Sequence, residues 1–224
     1  MIVSIKNKLI FIGVPHTGST SIHECVKHAI MTGEEMETLG FNTLATDEWI
    51  YDHGDYKHSG IGKIEAFMRK KDYDLTGSWT AYYSFRDPIG FHSSDYYLKH
   101  RLAHSSDWCK DYTPSHNNRV QETISRYPTV DSYLLNFVTP HQWTNHYKIM
   151  ESEYLTRDNS GEMNIKFERR DYDRETYSKT FDEVVEAMGI EPSKRVHIND
   201  SQKKREPLKQ ETLDVIKKMI KGNI

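Results

Sequence analysis

Lys8-Leu9-Ile10-Phe11-Ile12-Gly13-Val14-Pro15-His16-Thr17-Gly18-Ser19-Thr20-Ser21 is the stretch that decides how this chain folds. Its first half is a short, continuous apolar run closed by Pro15, the pattern of a strand buried on both faces in a parallel sheet. Its second half is a turn that opens a helix, because Ile22, Cys25, Val26, Ala29 and Ile30 recur at the i, i+3, i+4, i+7, i+8 spacing of one helix face. Strand, glycine turn, helix is the first half of a βαβ unit. Gly13 to Thr20 has the spacing of a Walker A loop, with Ser19 in the lysine position. Backbone N–H groups at a helix start are unpaired and the helix dipole adds positive potential there, so this turn suits a phosphate or sulfate group. Gly18 allows close approach of the backbone, and Thr17, Ser19, Thr20 and Ser21 add hydroxyls. An NTPase needs the lysine on its terminal phosphates, so the turn favours anion binding over ATP hydrolysis. The plain alternative is a Ser/Thr-capped helix start.

Working outward, the β-prone segment Trp79–Phe85 reads as a second central strand, stopping at Arg86-Asp87-Pro88. Asp87 is a natural N-cap and Pro88 a natural first helical residue, followed at helical spacing by Phe91, Ser94, Asp95, Leu98 and Leu102. Ile61, Ile64 and Met68 predict a short helix running into the charged turn Arg69–Asp72, whereas residues 32–60 and 103–118 read mainly as loop. Val130, Tyr133, Leu134, Phe137 and Val138 form a further helix face ended by Pro140, and Met163–Phe167 reads as a strand. Thr180 and Glu183 have capping-box spacing ahead of a stripe of Phe181, Val184, Val185 and Met188 closed by Gly189. Arg195–Ile198 reads as a last short strand, and Leu213, Ile216, Met219 and Ile220 as a final helix. The alternation predicts an α/β fold, a central and mainly parallel sheet flanked by helices, in a single domain over 1–224. Ligands of such sheets bind beyond the carboxyl ends of the strands, where both polar turns would lie.

Composition limits the function classes. The chain has 224 residues, with 30 Lys+Arg against 33 Asp+Glu and a formal net charge of −3. Near-neutrality argues against a general nucleic-acid binder, so an anionic ligand must be held by a local site. The 14 tyrosines and 12% aromatic content argue against disorder. No apolar run approaches the about 20 residues of a membrane span. The N-terminal stretch has lysines inside its apolar segment and no small-residue cleavage pattern, so no signal peptide is expected. The two cysteines, Cys25 and Cys109, make no disulfide framework, which fits a reducing, cytoplasmic setting.

The first turn, Phe11-Ile12-Gly13-Val14-Pro15-His16-Thr17-Gly18-Ser19-Thr20-Ser21, resembles the 5′-phosphosulfate loop of sulfotransferases, commonly P-K-T-G-[ST]-T-S. The second, Ser84-Phe85-Arg86-Asp87-Pro88 through Ser94-Asp95-Tyr96-Tyr97, is similar to their 3′-phosphate motif, R-D-P-x-x-R-x-x-S-x-Y-Y. More weakly, His197–Ser201 with Gln202-Lys203-Lys204-Arg205 resembles the nucleotide-closing loop of carbohydrate sulfotransferases. The resemblance implies a P-loop-like three-layer fold and the donor 3′-phosphoadenosine 5′-phosphosulfate, with adenosine 3′,5′-bisphosphate as product and no required metal. On it, His16, Thr17, Gly18, Ser19, Thr20 and Ser21 would hold the 5′-phosphosulfate, and Arg86 and Ser94 the 3′-phosphate. Lys203, Lys204 and Arg205 could reach the 3′-phosphate or the adenine, although a basic run is commonly a solvated face. Arg86 suits this work because its planar fork meets two phosphate oxygens at once.

Two positions depart from the pattern: Phe91 replaces the second arginine of the 3′ motif, and His16 replaces the loop lysine. A histidine beside a doubly anionic group is favoured in its protonated form, so His16 can take over the lysine's role. The transfer also needs a base for the acceptor hydroxyl. The His-rich segment Asp52–Gly60 supplies His58 as first choice and His53 as second, with Asp47 and Glu48 as further candidates. His53 and His58 with Asp52 or Asp55 do not have the spacing of a strong zinc motif. By family analogy the acceptor is a carbohydrate or small hydroxylated molecule, with Trp143, Tyr147, Tyr154 and the loop 103–118 as cleft candidates. A nucleotide-binding module without turnover and a nucleotide kinase-like enzyme are the competing readings. Oligomeric state is not legible in the sequence.

Overall fold

A computed structural model of the chain describes residues 1–31, 43–54, 57–104, 113–157, 163–172, 177–191 and 206–222. It divides into two compact units, one of Met1–Arg86 with Met150–Lys203 and one of Asp87–Ile149 with Lys204–Ile224.

The first unit carries the whole sheet. Its strands are β1 (Ile2–Ser4), β2 (Leu9–Ile12), β3 (Thr43–Ala45), β4 (Trp49–Asp52), β5 (Ser78–Tyr83) and β6 (Asn164–Arg169), in the order β3-β4-β1-β2-β5-β6. Its helices are α1 (Ser19–Ile30), α2 (Ile61–Lys70) and α7 (Tyr177–Ala187). β2 is buried at every residue, as its unbroken apolar run requires. Leu9 and Phe11 join a core with Ile22, Cys25 and Val26 of α1 and Phe181, Val184 and Val185 of α7. Ile10 and Ile12, on the opposite face by the alternation of a strand, are also fully buried.

The architecture is α/β, but the sheet is mixed where a mainly parallel one was expected. β2–β5 and β5–β6 are parallel, whereas β1–β2, β1–β4 and β3–β4 are antiparallel. The reason is local. Only Ile5–Lys8 separate β1 from β2, too few for a crossover, and Lys8 takes a left-handed φ of 49° to close the turn. Within 32–60, read as loop, residues 43–52 form the antiparallel pair β3–β4.

The second unit is helical: α3 (Pro88–His104), α4 (Pro114–Arg126), α5 (Val130–Asn136) and α8 (Gln210–Ile220) lie in it. α6 (Pro140–Tyr154) has non-helical angles at Asn145, and its residues from Met150 on belong to the first unit. Tyr96, Ile124, Val130, Tyr133, Leu134, Trp143 and Ile216 form its core. Asp87 caps α3 as expected, accepting from Gly90 N at 2.8 Å. Pro140, expected only to end a helix, also begins the next. α7 starts at Tyr177, so Thr180 lies inside the helix instead of capping it. Glu183 is bonded by Arg170 Nε at 3.0 Å. The last predicted strand, Arg195–Ile198, lies outside the described residues.

Candidate functional site

Parallel register brings three loops to one end of the sheet. Ile12 pairs with Tyr83, and Tyr83 with Arg169, so the segments after β2, β5 and β6 emerge side by side. The last two remain tied beyond the strands, since Arg170 N donates to Tyr83 O at 2.8 Å and Tyr172 N to Phe85 O at 2.7 Å. Arg86, bridged to Tyr172, places its guanidinium 4.8 Å from the centroid of that ring. Its Nη1 donates to His16 O at 3.2 Å. The two turns singled out in the sequence therefore touch, His16 from one and Arg86 from the other.

The first turn is held in a conformation few residues adopt. His16 has φ 63° and Gly18 φ 75°, both left-handed, a region that costs L-residues other than glycine about 1–2 kcal/mol. A Cβ on Gly18 would fall 2.5 Å from Tyr177 Cε2, and one on Gly13 would fall 2.8 Å from Lys57 O. Both glycines are thus fixed by close approach. Tyr177 OH donates to Gly18 O at 2.7 Å, tying α7 to the start of α1.

No side chain caps α1, and its first turn holds no acidic residue. The plain alternative, a Ser/Thr-capped start, is not what forms here. Thr17 is buried and donates its hydroxyl to Val14 O at 2.7 Å, so only its backbone is available to a ligand. Ser19 is buried, while Thr20 and Ser21 are half-buried. The uncapped N–H groups and the dipole leave a positive end in which an anion is stabilised.

Below this turn lies the His-rich segment. His58 Nδ1 is 2.5 Å from Gly13 O. A carbonyl can only accept, so Nδ1 carries the proton and Nε2 is left with the lone pair of a base. His58 keeps an exposed face; desolvation by the groups packed around its ring is the main cause that lowers its pKa, the bond to Gly13 opposing it, so the neutral form is favoured at neutral pH. His53 is pushed down to about 4, first by burial and then by Lys57 and Lys27. Its Nδ1 is 3.9 Å from Glu24 Oε1. A base that weak takes a proton less readily near neutrality, which keeps His58 ahead of it. Asp47 and Glu48 are removed from consideration. They precede β4, whose Trp49 is level with Leu9 through Ser4, so they lie at the other end of the sheet.

Two further groups were not legible as site residues. Lys57 donates from Nζ to Thr20 Oγ1 at 2.9 Å; only its place next to His58 could have pointed to it. His23, fully buried on α1, bonds Ser19 O through Nδ1 at 2.9 Å and sits 5.3 Å from His53, ring centre to ring centre. Burial drives its pKa well down. It was hidden in the apolar period of α1.

The remaining expectations divide as follows. His16, Thr17, Gly18, Ser19, Thr20, Ser21, Arg86, His53 and His58 are gathered at this end of the first unit's sheet. Ser94 is buried on α3 in the second unit. Lys203, Lys204 and Arg205 lie outside the described residues, as do Asp55 and Cys109. Cys25 is buried in the core, as its place on the apolar stripe of α1 implied. Trp143 and Tyr154 are buried, which is the packing role, and Tyr147 is exposed. Among the described residues no helix is long and apolar enough to cross a membrane. No group of three or more His, Cys, Asp or Glu among them is arranged to hold a metal. No protein-family model matches the chain, and no curated protein or solved structure matches it either.

Proposed function

We propose that the chain is a sulfotransferase of P-loop-like fold, moving a sulfuryl group from 3′-phosphoadenosine 5′-phosphosulfate to a hydroxyl of a carbohydrate or small-molecule acceptor. The observation that carries this reading is the junction of the two motifs. The uncapped turn 13–21 and Arg86 meet at adjacent parallel strand ends, with a neutral, hydrogen-bonded histidine beneath them. The donor contributes the sulfuryl group and a bisphosphate leaving group, and the chain contributes positioning, charge and a base. Backbone N–H groups at Ser19 and Thr20, with the Thr20 and Ser21 hydroxyls, fit the 5′-phosphosulfate. Arg86, a planar cation over the Tyr172 ring at the edge of the turn, fits a phosphate. His58 takes the proton of the acceptor hydroxyl at Nε2 while Gly13 O holds Nδ1–H, fixing the tautomer.

Two measurements test this. Adenosine 3′,5′-bisphosphate should raise Tm more than ATP does, because the loop has no lysine at position 19 for terminal phosphates. Labelled sulfate should transfer from the donor to members of a glycan and small-alcohol panel. A larger response to ATP overturns the donor, and bisphosphate binding without transfer to any acceptor leaves a nucleotide-binding module. His58→Ala with an undiminished rate would remove His58 as base.

A further inference from the structure

We propose that Lys57 is the cation of this site: its ammonium, held at Thr20, stabilises the oxygen that leaves sulfur, while the adjacent His58 serves as base, so that one dipeptide acts at both ends of the transfer. This rests on the sulfotransferase reading. It assigns to Lys57 the task that the loop position itself, His16, would otherwise have to perform.

The geometry carries it. Lys57 reaches the loop from the segment after β4, with its backbone packed against Gly13 and Nζ 2.9 Å from Thr20 Oγ1. Among the described residues no carboxylate pairs with this ammonium; Glu24 acts on it from farther away. Holding a lysine in one rotamer costs conformational entropy, and a lone cation at the N-terminal end of α1 adds to the dipole's positive charge instead of offsetting it. An anion at the uncapped turn resolves both. Partial burial lowers the pKa of Lys57 and, less exposed to water, its charge acts more strongly on a neighbouring anion.

The acceptor O–H bond breaks and its proton goes to His58 Nε2. The acceptor oxygen bonds to sulfur as the bond from sulfur to the 5′-phosphate oxygen breaks. That oxygen keeps the electron pair, and Lys57 offsets its charge. Removing one such preorganised donor typically lowers kcat about 100- to 1,000-fold.

The test is steady-state transfer by the full chain with Lys57→Gln, Lys57→Arg and His16→Gln, with Tm measured for each. Lys57→Gln should lower kcat about 100-fold or more, with the donor KM changing much less, and Lys57→Arg should restore part of the loss. His16→Gln should lower kcat by clearly less than Lys57→Gln does. His58 faces Lys57, His53 and the α-amino group of Met1, so loss of the Lys57 charge should also move the acid limb of kcat/KM to higher pH. If Lys57→Gln does not fold, Lys57→Arg decides, since a planar fork in place of a point charge lowers kcat at least tenfold at unchanged Tm. Transfer by Lys57→Gln at the wild-type rate, or the large loss appearing in His16→Gln instead, overturns the assignment of Lys57 while leaving the enzyme reading intact. A wild-type protein that transfers no sulfate overturns both.

Discussion

The helix starts of the two units are built differently. In the second unit, α3 is capped by Asp87, α4 by Thr113, which accepts from His116 N at 3.3 Å, and α5 by a reciprocal capping box. In that box Thr129 Oγ1 accepts from Ser132 N at 3.2 Å, and Ser132 Oγ from Thr129 N at 3.4 Å. α1 has more hydroxyls at its start than any of these, in Thr17, Ser19, Thr20 and Ser21, yet no side chain caps it. Lack of a cap alone does not set it apart, because α2 and α8 share it. What differs is that hydroxyls suited to capping are turned elsewhere, Thr17 to Val14 O and Thr20 to Lys57. In the second unit α3, α4 and α5 satisfy their starts with side chains of their own segments. In the first unit α1 keeps a positive end surrounded by donors, the feature on which the proposed anion site rests.

The largest test of that contrast is Gly18→Ala. The φ of 75° costs an alanine about 1–2 kcal/mol, and a Cβ 2.5 Å from the Tyr177 ring forces movement of α7 or of the loop, an overpacking cost of typically about 1–3 kcal/mol. A loss of about 2–5 kcal/mol in urea unfolding is expected, together with loss of the rise in Tm that the proposed function expects from the bisphosphate. A variant within about 0.5 kcal/mol of wild type, a change usual for surface sites, would mean that Tyr177 does not hold the turn in place.

His53 titrates in the folded chain at about 4, below the about 6.5 of an unfolded histidine. Between those values the unfolded chain binds more protons, so stability rises with pH. The contribution is complete above about pH 6.5 and is lost as pH falls toward 4. With 21% of its side chain exposed, His53 should contribute about 1–3 kcal/mol. Urea unfolding of His53→Gln across pH 4–7 should show a slope reduced by up to one proton. His23 shifts in the same direction and keeps part of the slope. An unchanged slope would place the acid sensitivity elsewhere. The capping hydroxyls of Thr129 and Ser132 do not titrate in this range, so the start of α5 has no counterpart to this effect.

Local patterns were legible wherever one segment carries its own signal. The run 9–12 needs both faces buried, the 22–30 period needs one, and Asp87-Pro88 specifies a helix start by itself. β1, β3 and β4 were not legible, because strands of three or four residues have too few side chains to show a period. Their pairing is also non-local, as Ile2 lies against both Phe11 and Tyr51. That short pairing is also what makes the sheet mixed. α4 escaped because Val120 and Ile124 are its only buried residues, and its start is set by Thr113-Pro114 more than by an apolar stripe. In the site, the turn and Arg86 stand out by residue type. Lys57 does not, since a lysine in a polar loop looks like any solvated charge until the fold brings it to Thr20.

The smallest effect is expected where a helix start is complete in itself. Replacing Thr129 by alanine removes the acceptor for Ser132 N and half of the capping box. Substitutions of this kind cost about 1 kcal/mol. α5 packs through Val130, Tyr133 and Leu134 into the core of its unit, so the loss should appear as a small, uniform drop in stability. Because this cap has no ligand to answer to, the bisphosphate-induced rise in Tm should be the same in Thr129→Ala as in wild type. Equal stabilisation by the ligand, on a lower baseline, is the result expected if capping in the second unit is purely structural. A ligand response that shrinks along with the cap would erase the distinction between the two kinds of helix start, and with it the argument that the open end of α1 is kept for an anion.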